Sequence, residues 1–184
     1  MAGAFDPRNT EPQLAQNPLR QYRTAQAGLS AIATGQFVIA GLMVLSVIAG
    51  ARLWRDGTQM SSGQWVTVLY PPLLFGAAGL GLTLRAGWGW WLTSAIYSFG
   101  FFSVPVSLVL WSFDKQRFQP GASLVTFLLC AFVLGYLSRR EVQRFIRFGT
   151  PDGRPSRLAS WSPLVIGLLG AAASGIRVAS SLPG

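Results

Sequence analysis

The chain has 184 residues, of which 51% are hydrophobic and 11% are charged, whereas soluble domains carry about 25% charged residues. The mean hydropathy is +0.40 and the formal net charge is +9. This composition excludes an ordinary soluble domain. The basic residues lie at the ends of apolar runs, as membrane topology signals do, which argues against a nucleic-acid partner. We therefore expect one integral membrane domain with short tails.

The chain offers few reactive side chains. Histidine is absent and Cys130 is the single cysteine, so an internal disulfide or CxxC pair is excluded. The six carboxylates lie in predicted tails or loops, and no glycine-rich loop precedes a Lys-Ser or Lys-Thr pair. We therefore expect no enzymatic activity and no metal or other cofactor.

The N-terminal region divides into a polar segment and an apolar run. Residues 1–26 are rich in Pro, Asn and Gln, which predicts a cytoplasmic tail. We expect the first helix to begin near Arg20 and to enter the bilayer at Ala27, so that residues 27–51 form a segment about 37 Å long, enough to cross a hydrocarbon core of about 30 Å. The run is longer than the core of a signal peptide, so it predicts a retained signal anchor.

The second predicted span, residues 65–84, contains two consecutive prolines. Pro71 and Pro72 each lack a backbone N–H, so a kink or local unwinding is expected there. Unwound backbone at membrane depth must be buried in protein or face water. One hypothesis is therefore a small-molecule or ion site at Thr67, Tyr70, Pro71 and Pro72, and the alternative is a purely structural break.

Two further spans follow a short turn after Arg85. The third covers residues 88–111 and the fourth covers residues 120–138, with Pro120 suited to its first turn. The short connection predicts that the second and third helices form a tight antiparallel pair. Residues 139–160 form a basic amphipathic segment and a loop, which we expect along the cytoplasmic lipid surface.

The last region, residues 161–184, contains a short helix rich in Gly and Ala. Ser162 is expected to cap this helix, with Pro163 in its first turn. We predict a fifth span here, and a re-entrant or partner-buried helix is the alternative. The predicted fold class is an all-α integral membrane protein: a bundle of four transmembrane helices and a fifth, with an amphipathic interfacial helix.

The distribution of Arg and Lys predicts the orientation. With a cytoplasmic N-terminus, ten basic residues lie on the cytoplasmic side and five on the other. Positive residues accumulate on the cytoplasmic side of membrane proteins, so we expect the N-terminus inside. The use of Arg rather than Lys, together with abundant Ala and Gly, is typical of a GC-rich bacterial genome, which predicts a multi-pass protein of the bacterial inner membrane.

Small residues four positions apart mark one face of four predicted helices. Such faces let helix backbones approach closely in lipid. They serve either the chain's own bundle or contact with another subunit, and the last helix is the strongest candidate for such contact. The residues are Ala27, Ala31 and Gly35; Ala77 and Gly81; Ala131 and Gly135; and Gly167, Ala171 and Gly175.

Aromatic and basic residues cluster near the ends of the spans. The tryptophans predict interfacial anchors, and the Trp-rich turn after Arg85 also fits a quinone, pigment or lipid-headgroup site. The arginines after the fourth span are candidates for anionic lipid binding, which membrane topology explains equally well. The tryptophans are Trp54, Trp65, Trp88, Trp90, Trp91, Trp111 and Trp161, and the arginines are Arg139, Arg140, Arg144 and Arg147.

These observations favour a non-catalytic accessory or scaffolding subunit of a larger bacterial membrane complex, such as an energy-converting, photosynthetic or transport assembly. Its expected partners are membrane lipids and other integral membrane subunits. The alternative is a small homo-oligomeric transporter, channel or lipid- or amphiphile-binding protein that uses the broken second helix. A holin-like pore former, suggested by small size and basic termini, is a third interpretation.

Overall fold

A computed structural model describes residues 18–53, 62–113, 120–146 and 155–180 of the chain. Nearly all of these residues are helical, which confirms the all-α expectation. The described helices are α1 (Pro18–Leu53), α2 (Ser62–Thr83), α3 (Gly87–Phe113), α4 (Pro120–Leu137), α5 (Arg140–Phe145) and α6 (Arg157–Ala179). The first of them begins at Pro18, near the start at Arg20 that the sequence predicts.

Three helices are long and apolar enough to cross a membrane, within the part of the chain that the structure describes. These candidate spans are Arg23–Gly50 in α1, Gly87–Leu110 in α3 and Arg157–Val178 in α6. The apolar segments of α2 and α4, Val68–Thr83 and Ser123–Leu137, are shorter. The chain is thus a helical membrane protein, but the predicted set of four spans and a fifth is not confirmed.

The start of α6 lies earlier than the sequence suggested. Ser156 is the N-cap, and its hydroxyl accepts a hydrogen bond from the backbone N–H of Ala159 at 3.2 Å. Pro163 lies inside the helix and leaves the Ala159 carbonyl without its usual partner. The Ser162 hydroxyl donates to that carbonyl at 3.4 Å, so the helix tolerates the proline and becomes long enough to span.

Helix α2 continues through Pro71 and Pro72 without unwinding, and α3 continues through Pro105. The expected break in the second helix is therefore not an interruption of the helical backbone. Membrane helices tolerate internal prolines because neighbouring groups and small local adjustments satisfy the freed carbonyls.

The turn between α2 and α3 is a Schellman motif, a common way to end a helix. The N–H of Ala86 donates to the Gly81 carbonyl at 2.9 Å, and the N–H of Arg85 donates to the Leu82 carbonyl at 3.0 Å. Arg85 has a φ of 55°, in the left-handed region that glycine usually occupies. This short turn produces the close antiparallel pair that the sequence predicted.

Helix α3 is central, because it packs against α2, α4 and α6, whereas α1 packs along α2 and contacts α5. The apolar core is densest where the start of α1, the turn between α2 and α3, the end of α4 and α5 meet. We call this the inner end of the bundle. The buried residues of this core include Ala25, Leu29, Leu82, Trp90, Leu137, Val142 and Ile146.

Candidate functional site

Helix α5 closes the inner end of the bundle. Its Val142 and the following Ile146 are 1% and 2% exposed and belong to the apolar core. The guanidinium carbon of Arg85 lies 4.2 Å from the centre of the Phe145 ring, which links α5 to the turn between α2 and α3. The sequence placed this segment on the lipid surface, but in the structure its apolar side packs against the protein.

Arginines surround this end of the bundle. All of these arginines are exposed except Arg85, which is half-buried. The guanidinium carbon of Arg139 lies 5.7 Å from the centre of the Tyr136 ring. Glu141 is the single carboxylate in the part of the chain that the structure describes. We call this set the basic end; it consists of Arg23, Arg85, Arg139, Arg140, Arg144 and Arg157. The predicted lipid residue Arg147 lies outside the described residues.

The Trp-rich turn connects helices within the chain. Trp90 is 4% exposed, and its indole N–H donates to the Leu137 carbonyl at 3.1 Å. The indole N–H of Trp91 donates to the Ser162 hydroxyl at 2.7 Å, which joins α3 to α6. Two of the three indole donors of this turn therefore have partners inside the bundle. Trp88 is exposed.

The remaining tryptophans fall into two groups. Trp65 and Trp161 are exposed, so an anchoring role stays a prediction for them as it does for Trp88. The side chain of Trp111 and all of Trp54 lie outside the described residues.

The small residues of α6 face α3. A Cβ atom added to Gly167 would lie 2.6 Å from the backbone carbonyl carbon of Ser98, and one added to Gly175 would meet the Val106 side chain. Ala171, between them, is fully buried. This face packs within the chain, although the sequence made it the strongest candidate for a partner.

Helix α2 likewise uses its small face within the chain. A Cβ atom on Gly81 would meet the backbone of Gly89 and lie 2.8 Å from the Trp88 ring. Ala77, one turn earlier, is half-buried.

Helix α1 carries its small residues on the side facing away from the bundle. Ala27 and Ala31 are exposed, and a Cβ atom added to Gly35 would meet nothing within 4 Å. The buried stripe of α1 includes Ala25 and Leu29. Two residues turn a helix by about 200°, so Ala27 lies opposite Ala25. We call Ala27, Ala31 and Gly35 the open face of α1.

Helix α4 also leaves a small residue open. Gly135 is exposed and has no atom within 4 Å of an added Cβ, whereas Ala131 is half-buried.

A polar pair joins α1 to α3 in the interior. Gln36 is fully buried, and its Nε2 donates to the Thr93 hydroxyl at 3.2 Å. Within the described residues, the Oε1 of Gln36 and the hydroxyl of buried Ser98 have no hydrogen-bond partner. The two are separate: Gln36 lies between α1 and α3, while Ser98 lies against Gly167 of α6.

An apolar groove of about 410 Å³ lies between α1 and α2 at the proline pair. The Ser46 hydroxyl donates to the Leu42 carbonyl at 2.8 Å, so the polar atom in the lining is used by its own helix. Tyr70 is exposed and is not part of the lining, and the Thr67 side chain lies outside the described residues. The groove suits an acyl chain better than an ion. Its lining residues are Ile39, Leu42, Met43, Ser46, Val47, Val68, Pro71 and Pro72.

Sequence reasoning missed a contact between α1 and α4. The Tyr136 hydroxyl donates to the backbone carbonyls of Thr24 at 3.2 Å and Ala25 at 3.0 Å. A Cβ atom on Gly28 would overlap the Tyr136 ring, so this glycine makes room for the tyrosine. The sequence signal for this contact was Gly28, which adjoins Ala27 of the small-residue face. Its partner Tyr136 lies more than 100 residues away, so the sequence does not connect the two.

The fold and its surfaces define a polytopic helical protein with three candidate membrane-spanning helices. Comparisons of the chain with protein-family models, with curated proteins and with solved structures find no match. In the described ranges, no three His, Cys, Asp or Glu side chains come together in a group able to hold a metal ion.

Proposed function

We propose that this chain is a non-catalytic accessory or scaffolding subunit of a larger membrane complex in the bacterial inner membrane. The observation that carries the proposal is the open face of α1. The most apolar 18-residue window of the candidate span in α1 has a mean hydropathy of 2.1, the highest of the three spans, and 11% of that window is buried within the chain.

An open small-residue face on such a helix favours contact with a second helix. Lipid chains are as apolar as the side chains of the helices, so the hydrophobic effect does not drive helices together in a bilayer. Their association depends on close van der Waals packing instead. Ala27, Ala31 and Gly35 permit that approach, and the corresponding face of α6 is already covered by α3. We therefore expect a helix of an integral membrane partner to pack on the first half of α1.

We further propose that α2 and α4 also cross the membrane and that the N-terminus is cytoplasmic. Trp91, Ser98 and Val106 of α3 contact Ser162, Gly167 and Gly175 of α6 in the same order, so these two helices run in the same direction. The end of α4 contacts both the start of α1, at Ala25, and the start of α3, at Trp90, so α1 and α3 begin at the same end of the bundle. If all three span, the helices between them must return the chain across the bilayer. Helix α2 has 22 residues and α4 has 18, which supports five spans with some local thinning.

The test is purification of the native particle. The full chain, tagged at its N-terminus, is extracted in a mild detergent, and native mass and stoichiometric partners are determined for three forms. The variant A27L/A31L closes the open face, and A172L/A173L adds the same bulk to an exposed part of α6.

We expect stoichiometric integral membrane partners with the unmodified chain and the α6 variant, and their loss with A27L/A31L. A homogeneous homo-oligomer that tolerates A27L/A31L would contradict the accessory-subunit proposal.

The apolar groove supports a second candidate function, a lipid- or amphiphile-binding protein. Replacing Met43 in the lining with Trp would fill the groove, whereas V44W places the same ring on an exposed position of α1. The measurement is binding of a fluorescent fatty acid to the detergent-purified chain. Loss of binding in M43W alone supports this candidate, and equal binding by both variants excludes the groove.

A further inference from the structure

We propose that the basic end binds the headgroups of anionic phospholipids, with Arg140 and Arg144 of α5 as the main recognition residues. This inference is independent of the accessory-subunit proposal, because it concerns lipid rather than a partner helix. It rests on the orientation of α5, the charge around it and its position relative to the exposed tryptophans.

The orientation of α5 is fixed by the protein. A six-residue helix is not stable alone, so packing decides which side faces outward. Val142 is buried, and Arg140 and Arg144 lie two residues before and after it, about 200° away in each direction. The two arginines are therefore close neighbours on the outer side, while Phe145 is held by Arg85.

The charge around α5 is strongly positive. Arg23, Arg139 and Arg157 are exposed at the same end of the bundle, and Glu141 is the single carboxylate in the described ranges. A guanidinium presents a planar set of donors that matches the oxygens of a phosphate. An arginine near an anionic membrane surface contributes about 1 kcal/mol, so several together give a marked preference.

The position of the basic end fits the headgroup layer. Trp88 and Trp161 are exposed next to it, at the starts of the candidate spans in α3 and α6. Tryptophan is enriched at the boundary between hydrocarbon and water. A charged surface at that level lies beside lipid phosphates, whereas nucleic acid or a soluble acidic protein would have to approach through the headgroups.

The experiment is native mass spectrometry of the full chain in detergent. The probes are phosphatidylglycerol, phosphatidylcholine with the same acyl chains, and inorganic phosphate. The test variant is R140Q/R144Q. The matched control is R52Q/R177Q, which removes the same charge from the last turns of α1 and α6, at the opposite end of the bundle.

We expect the unmodified chain to prefer phosphatidylglycerol over phosphatidylcholine at least tenfold. R140Q/R144Q should weaken phosphatidylglycerol binding about 25-fold, since two arginines contribute about fivefold each. R52Q/R177Q should change it less than about twofold, because these positions are far from the basic end. R140K/R144K, which keeps the charge but loses the planar donors, should bind phosphatidylglycerol more weakly than the unmodified chain and more tightly than R140Q/R144Q.

Tryptophan fluorescence checks that each variant keeps the tertiary packing of the unmodified chain. Equal binding of the two phospholipids would overturn the proposal, as would equal losses in both double variants. Displacement of phosphatidylglycerol by millimolar inorganic phosphate would assign the basic end to a soluble anion and also overturn it. If R140Q/R144Q does not fold, the lysine variant and single R144Q, measured against R177Q, decide the same question.

Discussion

At the scale of single residues, the interior of this bundle depends on one polar pair and several close glycine contacts. Gln36 is the largest polar side chain in the buried interior, and Thr93 accepts its hydrogen bond. A buried amide is costly when it loses its partner, whereas removing both polar groups together is nearly neutral. Removing one partner of this pair should therefore lower the free energy of unfolding more than removing both partners together.

This asymmetry predicts the result of a double-mutant cycle. T93V keeps the shape of the side chain but removes the hydroxyl, so the amide of Gln36 is stranded and the free energy of unfolding should fall by about 1 to 3 kcal/mol. Q36M/T93V removes both partners and should stay within about 1 kcal/mol of the unmodified chain, and Q36M, which leaves only the Thr93 hydroxyl without its partner, should fall between T93V and the double variant. The measurement is reversible unfolding in mixed micelles. A double variant as unstable as T93V would contradict this prediction.

Gly81 and Gly76 of α2 differ in their surroundings and give a second prediction. G81A should lower the free energy of unfolding by about 1 to 3 kcal/mol, because its Cβ would overlap the backbone of Gly89. G76A has nothing within 4 Å of the new Cβ and should raise it by about 0.5 to 1 kcal/mol. Thermal unfolding of both variants in the same detergent checks the sign of each change. Equal effects would show that helix propensity, not packing, decides.

At the scale of helices, the contact between α3 and α6 is formed by backbone approach and a hydrogen bond. Gly167 lies against the backbone of Ser98, and Trp91 donates to Ser162 near the start of α6. The small-residue face of α6 is thus covered by α3 of the same chain. The open face of α1 has no such cover within the described bundle, which is why we assign partner contact to α1.

The contact between α3 and α6 predicts a local effect of substitution. G167A should speed hydrogen exchange of the α6 amides by at least tenfold. The added Cβ would push α6 away from α3 and weaken the packing that protects those amides. G135A, on an open position of α4, is the matched control and should leave exchange of α6 unchanged. Mass spectrometry of the exchanged protein locates the change. Faster exchange throughout the chain in G167A would instead indicate global destabilisation.

At the scale of the whole molecule, the parallel course of α1, α3 and α6 determines what the connecting helices must do. A five-span arrangement places the start and end of α6 on opposite sides of the membrane, and the proposed cytoplasmic N-terminus would place the basic end inside. The alternative of a re-entrant α6 places both of its ends on one side.

Cysteine labelling distinguishes these arrangements. In a C130A background, a membrane-impermeant maleimide should label S180C in intact spheroplasts, and S156C only after permeabilisation. S138C, at the end of α4, should behave as S156C does. Equal labelling of S156C and S180C from outside would contradict a spanning α6, and outside labelling of S138C would contradict the proposed orientation.

The sequence by itself determined that the chain is a helical membrane protein. Long apolar runs predict helices because the hydrocarbon core offers no hydrogen-bond partner to backbone N–H and C=O groups. A single spanning run satisfies these groups within itself by forming a helix. Charge at the ends of the runs likewise predicted an orientation without any knowledge of packing. The start of α6 was missed because Ser156 and Ser162 offer the same capping chemistry. In the structure Ser156 accepts the hydrogen bond of the N-cap, whereas Ser162 lies inside the helix and accepts from Trp91.

The tertiary structure alone decided which side of each helix is occupied. Ala27 and Gly167 belong to the same sequence pattern, yet one is exposed and the other lies against α3. Trp88 and Trp90 lie in one turn, yet only Trp90 enters the core. In lipid, apolar side chains have no preference for the interior over the exterior, so hydrophobicity cannot report burial. Close packing between residues far apart in sequence makes that choice, and it requires the three-dimensional arrangement of the helices.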